Sequence, residues 1–310
     1  MTQSVNILVP IAVTDAMLTS STIAEPAAGE TAWVSAGTYV VGDLRIRSTT
    51  HQVYKCVQGH TGRAALPEAD NAYWLAVYAT QKWAMFDAFA STQSAAVTSM
   101  AAVLRPGIAN AVALINVDAV TATLVLKDAP GGAVVDTRVI DLVEYPLDWY
   151  DWAFGAIKTK TKVVIDNLMI YADPEISITL TSSAGVAVKC GLVAVGDYRN
   201  LLDDADFGGA QYGATASPTT FSYINADEYG NTVIKRRGSA SDMRVQVILP
   251  KSNSDAAFAS LQSVLDVPVI VSASQGPGYA GLTVFGLASG SMNYSNAGHD
   301  VLSIDVKGML

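Results

Sequence analysis

A chain of 310 residues that is half apolar and only 15% charged has ample material for a buried core and is not disordered throughout. Its net charge of −9 and isoelectric point near 4.7 repel phosphate backbones, so no nucleic-acid partner is expected. Nothing approaches the ~18 consecutive apolar residues of a membrane span, so membrane insertion is not expected either. The length leaves room for two domains of roughly 150 residues or less and a small module.

Residues 1–32 read as an extended arm and linker. Met1 to Val13 contains an apolar patch without a positive leader or a small-residue cleavage pattern, so no signal peptide is expected. Thr14 can cap a brief turn, and Ser20 to Thr31 has the Ala, Gly, Ser and Thr composition of a flexible segment. An extended arm can pair with a neighbour's sheet edge.

Residues 33–80 read as a small β module. Val40 to Arg47 and Val53 to Val57 mix β-branched and polar residues around a Thr-rich turn, which predicts two short strands. So short a unit buries little, so Trp33, Tyr39, Tyr54 and Trp74 are either its miniature core or an exposed binding face. These residues, with the Gly42-Asp43 step and Lys55, resemble the small chitin-binding type carbohydrate-binding modules of chitinases and tailed-phage proteins. The resemblance implies rings that stack on sugar faces, because sugar C–H groups pack on a π-face.

Residues 81–200 carry strand patterns at Val97 to Leu104, Ala111 to Val117, Val120 to Leu126, Val134 to Leu142, Lys162 to Ile165, Glu175 to Leu180 and Val186 to Val195. Gly, Pro, Asp and Ser clusters separate them, which predicts an antiparallel β-sandwich or jelly roll. Asp148 to Phe154 places four aromatics in six positions, between and beside Asp148 and Asp151. Two carboxylates near aromatics have the composition of a glycosidase subsite, but one turn rarely supplies both members of such a pair. A sandwich edge or an aromatic lid over the core is the reading here.

Asp204-x-Asp206-x-Gly208 lacks the remaining oxygen ligands of a calcium loop, and a solvated interdomain loop is expected around residue 200. Residues 201–310 then read as an α+β domain. Phe221 to Ile224 and Thr232 to Arg236 flank a polar turn around Tyr229-Gly230-Asn231 and predict a hairpin. Lys235, Arg236 and Arg237 form a basic cluster in an acidic chain, expected to be a hairpin tip that pairs with an acidic neighbour. Met243 to Leu249 predicts a strand, and Ser254 opens a helix of about a dozen residues with Ala257, Phe258, Leu261, Val264 and Leu265 on one face. Val267 to Val271, Leu282 to Leu287, Ser289 to Tyr294 and Val301 to Lys307 close the domain as strands. The fold expectation is therefore mainly β: a small N-terminal module, a jelly-roll-like sandwich and a C-terminal sheet carrying a single helix.

Cys56 and Cys190 stand far apart in apolar strand-like runs, as buried free thiols do. No G-x-S-x-G elbow, P-loop, dinucleotide fingerprint or metal-ligand spacing occurs, so no catalytic residue, metal site or cofactor is expected. Lys82 to Asp87, Asp148 to Tyr150, Tyr223 to Arg237 and the final strand patterns are together similar to tailed-bacteriophage virion proteins described as tail or carbohydrate-binding proteins. The resemblance implies a non-enzymatic structural protein of the virion, at the tail, tail tip or baseplate. Its partners would be other virion proteins and copies of itself. A host-surface glycan is the partner in the alternative of an adsorption protein; capsid decoration or a head fibre is another. A secreted hydrolase is disfavoured for want of a leader and a separated acid pair.

Overall fold

The computed structural model describes residues 5–144, 148–155, 158–202, 209–226, 228, 230–274, 278–294 and 297–309. Strands β1 (Asn6–Pro10) and β2 (Leu18–Ser21) precede the small module, which contains β3 (Thr38–Tyr39), β4 (Leu44–Arg47), β5 (Gln52–Cys56), β6 (His60–Thr61) and β7 (Trp74–Ala79). The central region holds β8 (Ser94–Val97), β9 (Ser99–Leu104), β10 (Ala111–Asp118), β11 (Thr121–Lys127), β12 (Val134–Asp141), α1 (Trp149–Phe154), β13 (Lys162–Ile165), β14 (Glu175–Thr181) and β15 (Ala187–Asn200). The C-terminal region holds β16 (Gly209–Ala210), β17 (Thr215–Thr220), β18 (Tyr223–Ala226), β19 (Thr232–Lys235), β20 (Ser239–Pro250), α2 (Ser254–Gln262), β21 (Val269–Ser272), β22 (Thr283–Asn293) and β23 (His299–Gly308). The chain is mainly β, and its strand ladders are antiparallel.

One large sheet organises the molecule. Its order is β13-β10-β15-β1-β21-β22-β23-β20-β16, with β8 added on β15 and β17 on β20. A second sheet, β12-β11-β14-β9-β2, covers the β10 and β15 half and closes a sandwich. Alternation explains the core between them: Leu124, Leu126, Ile176, Ile178 and Leu180 point inward from one sheet, and Val112, Leu114, Val193 and Val195 meet them from the other.

Residues 5–32 are not a free arm. Strand β1 lies between β15 and β21, paired with both, and Leu8 is fully buried. Its odd-numbered residues share one face of the sheet. Val5 and Ile7 enter the C-terminal core, whereas Ile11 and Val13, further along, pack on the sandwich core. The opening segment thus stitches two cores together. The domain division expected near residue 200 falls at the end of β15, and no break in the sheet marks it there.

Where β10 and β15 pass each other, the inward face changes register. Asn116 takes a left-handed φ of 55°, so Leu114 and Val117, three residues apart, both face the sandwich core. Opposite, Gly191 lets the Ala90 carbonyl approach to where a Cβ would sit 2.3 Å away, and the Asn116 amide donates to that carbonyl at 2.7 Å. A side chain at Gly191 would push this plug out.

In the C-terminal half, α2 packs Ala257 and Leu261 on the sheet, followed by Val264. Phe258 and Leu265, expected on the same apolar face, are exposed instead, because a short helix lying on one face of a sheet buries only a narrow stripe. Leu282 to Leu287 and Ser289 to Tyr294, expected as two strands, form the single strand β22.

Candidate interaction surface

The four rings expected to hold sugar form the interior of the small module. Trp33, Tyr39, Tyr54 and Trp74 cluster with Cys56, and Trp74 is only 1% exposed. Tyr39 lies edge-on to Trp74 at 4.9 Å, and its hydroxyl accepts from the Val34 amide and donates to the Val34 carbonyl. Arg47 lies over the Trp33 ring at 5.3 Å and Arg45 over Tyr39 at 5.2 Å. These faces are occupied by protein. The rings thus make the miniature core, the other of the two readings that the sequence left open, because so small a unit turns its largest side chains inward.

A clamp fixes the module to the body. The His51 imidazole stacks on Trp83 at 4.2 Å and lies 3.0 Å from the buried Glu25 carboxylate, which also accepts from the Thr80 hydroxyl at 2.7 Å. A groove of about 360 Å³ opens alongside, lined in part by Glu30, Ile46, Tyr78, Gln81 and Gln93. Its polar groups serve the fold: Glu30 accepts from the Ala27 and Gln81 amides, while the Gln81 and Gln93 side-chain amides donate to the Ala95 and Asn116 carbonyls.

Two other regions carry apolar side chains into solvent. The first is α1, at the end of a short hairpin in which Val143 pairs with Thr159. Trp149 and Trp152 are 75% and 78% exposed, and Tyr150 and Phe154 are exposed with them. This corrects the expectation of a lid over the core. The side chain of Asp151 lies outside the described residues, as do Asp204, Asp206 and Gly208 of the acidic loop.

The second is a β-ribbon. Strands β17 and β20 pair from Thr215–Arg244 to Thr220–Ser239, Phe221 continues to Gly238 through a backbone bond, and β18 and β19 pair from Tyr223–Lys235 to Ala226–Thr232. The register slips by one residue at Arg236, so the whole is one ribbon with a bulge at its basic cluster. The expected hairpin is therefore present, although Asp227 and Tyr229 of its turn lie outside the described residues. The basic cluster stands at the hairpin's base and not at its tip.

Beyond Thr220 and Ser239 the ribbon has two strands only, and every residue of β18 and β19 is exposed on both faces. Six residues per strand at about 3.3 Å each carry it roughly 20 Å outward. Ile224 and Ile234 oppose each other on one face at 70% and 60% exposure. On the other face the Tyr223 ring holds Lys235 at 5.6 Å and Arg237 at 4.9 Å. Of the three basic residues expected to make assembly contacts, the structure thus brings Lys235 and Arg237 together over one ring and sets Arg236 apart at the bulge.

Among the described residues no cluster of three or more His, Cys, Asp or Glu side chains could hold a metal ion, and no helix is long and apolar enough to cross a membrane. Cys190 is fully enclosed, and burial pushes its thiol up to about 12; burial also raises Cys56. Burial thus holds both away from the reactive thiolate form. The chain matches no known family, no curated protein and no solved structure.

Proposed function

We propose that this chain is a non-catalytic structural component of a tailed-phage virion, in the tail, tail tip or baseplate, built into a symmetric assembly with copies of itself and with other virion proteins. The ribbon is the observation that carries the assembly part. A two-stranded hairpin with apolar residues on both faces is marginal in water by itself. A ribbon that holds Ile224, Ile234, Phe221 and Val233 in solvent is suited to being covered by a neighbour. Many such weak contacts, repeated by symmetry, add up to a stable particle. The placement in a virion draws on the similarity of Lys82 to Asp87, Asp148 to Tyr150, Tyr223 to Arg237 and the final strands to tailed-phage proteins.

Electron cryo-microscopy of the particle, with mass spectrometry of its purified proteins, tests this. The expected result is a ring or cluster of this chain in the tail region with the ribbons covered. Purified particles without the chain would overturn the reading.

A second reading, adsorption to a host-surface glycan, is favoured by α1 and not by the module. Its four exposed rings offer the flat apolar faces that sugar stacking uses. Under this reading Trp149→Ala with Trp152→Ala lowers particle adsorption at least tenfold, whereas Tyr39→Phe in the module leaves it unchanged.

A further inference from the structure

We propose that two copies of the chain dock through their ribbons, face to face and end for end, with the Ile224 and Ile234 face of each against the same face of the other. The contact rests on the self-assembling reading above and names its surface. What selects a second copy as the occupant is that the pattern along this face is complementary to itself.

The register defines the face. Side chains alternate along a strand, and cross-strand partners share a side of the ribbon. Tyr223 therefore shares one side with Lys235, while the Ile224–Ile234 and Ala226–Thr232 pairs share the other. Lys235 and Arg237 both lie over the Tyr223 ring, so Arg236 between them turns to the isoleucine side. From base to tip this side reads Arg236, the two isoleucines, then the smaller Ala226 and Thr232, and the turn beyond Ala226 carries Glu228. All of these residues are exposed.

Such a face is basic and bulky at one end, small and acidic at the other. A second copy turned end for end presents the reverse. Val233 stands three residues from Arg236, and Asn225 three from Glu228, so a half-turn about an axis level with Asn225 and Val233 brings Arg236 of each copy to Glu228 of the other. The same half-turn sets Ile224 over Ala226 and Ile234 over Thr232, large side chains into the room left by small ones. Charge match and size match coincide in this one placement. With the tips side by side instead, Arg236 would face Arg236 and Glu228 would face Glu228, and like charges would repel. End for end, each turn lies over the other ribbon's base, short of Thr220 and Ser239 where the wider sheet begins. The contact is isologous. Four uncharged side chains per copy bury less than the ~1,000 Å² of a stand-alone interface, so this is a weak contact that an assembly multiplies.

Disulfide trapping tests the contact in the full chain, because buried Cys56 and Cys190 stay silent. Ile224→Cys and Ala226→Cys are placed in separate chains and mixed under mild oxidation. The expected result is a mixed cross-linked dimer formed at least tenfold faster than either variant links to itself. Predominant self-linking of Ile224→Cys would overturn the proposal in favour of ribbons stacked tip beside tip. Sedimentation of the same samples separates the two levels: oligomers without the mixed link overturn this contact and leave self-assembly standing, while monomers at all concentrations overturn both. Charge reversal gives a check independent of cysteine. Arg236→Glu and Glu228→Arg should each lower association about tenfold, since each leaves like charges facing at two symmetry-related places. Both together in one chain should restore it. A double variant as weak as the single ones would assign Arg236 to a different acidic partner and overturn the end-for-end pairing.

Discussion

The small module and the ribbon solve opposite problems with the same residue types. The module, residues 33–80, turns its Trp33, Tyr39, Tyr54 and Trp74 inward. The ribbon has no inside, so Phe221, Tyr223, Ile224, Val233 and Ile234 are exposed. An aromatic or branched side chain therefore signals a core in one region and a contact surface in the other. What separates them is whether enough chain surrounds the residue to bury it. The module spends its rings on its own stability; the ribbon leaves its apolar residues for a neighbour.

Substitutions should break this comparison unequally. The largest effect is expected for Trp74→Ala, which empties the centre of the module and costs about 3–5 kcal/mol of that unit's stability. Limited proteolysis should then cut within residues 57–66 while the sandwich resists. Leu8→Ala comes next. It removes a fully buried side chain from the strand that joins the two cores, with an expected loss of about 2–5 kcal/mol in urea denaturation of the body. Ile224→Ser with Ile234→Ser should do the opposite of both, changing monomer stability by about 0.5 kcal/mol or less and lowering self-association at least tenfold.

The smallest effect is electrostatic. The Lys127 ammonium 2.5 Å from Glu175, helped by the Gly131 amide, holds that carboxyl below its ordinary value. A depressed acid contributes stability above the unfolded value of about 4.3 and loses it as the pH falls through the folded value. Glu175→Gln should therefore flatten the acid limb of the stability curve below about pH 4.3 and leave association unchanged.

Much of the fold was legible because period-two alternation and Gly or Pro punctuation are local signals. Lys162 to Ile165 is a strand with the expected ends, and Val134 to Leu142 differs by one residue. What escaped was long-range. Strand β1 is a plain apolar stretch whose neighbours, Arg199 and Val271, lie about 190 and 260 residues away, and nothing in Asn6 to Pro10 announces a partner at that distance. The aromatics of Asp148 to Phe154 read as a sandwich edge or a lid because apolar residues are usually buried, yet a helix of only six residues carries them and, among the described residues, leaves Trp149, Tyr150, Trp152 and Phe154 exposed. The basic cluster was visible as composition, but its place at a bulge beside Tyr223 depends on the cross-strand register. For the module the pattern left two readings of its rings open, and the structure buries all four.

The most direct measurement is sedimentation of the intact chain beside a variant in which Phe221 to Gly238 is replaced by Asn-Gly, a turn that can join the paired Thr220 and Ser239. The account predicts that the intact chain forms concentration-dependent oligomers and that the shortened chain is folded and monomeric. Equal association of the two would contradict it, because the apolar ribbon would then have no part in joining the copies.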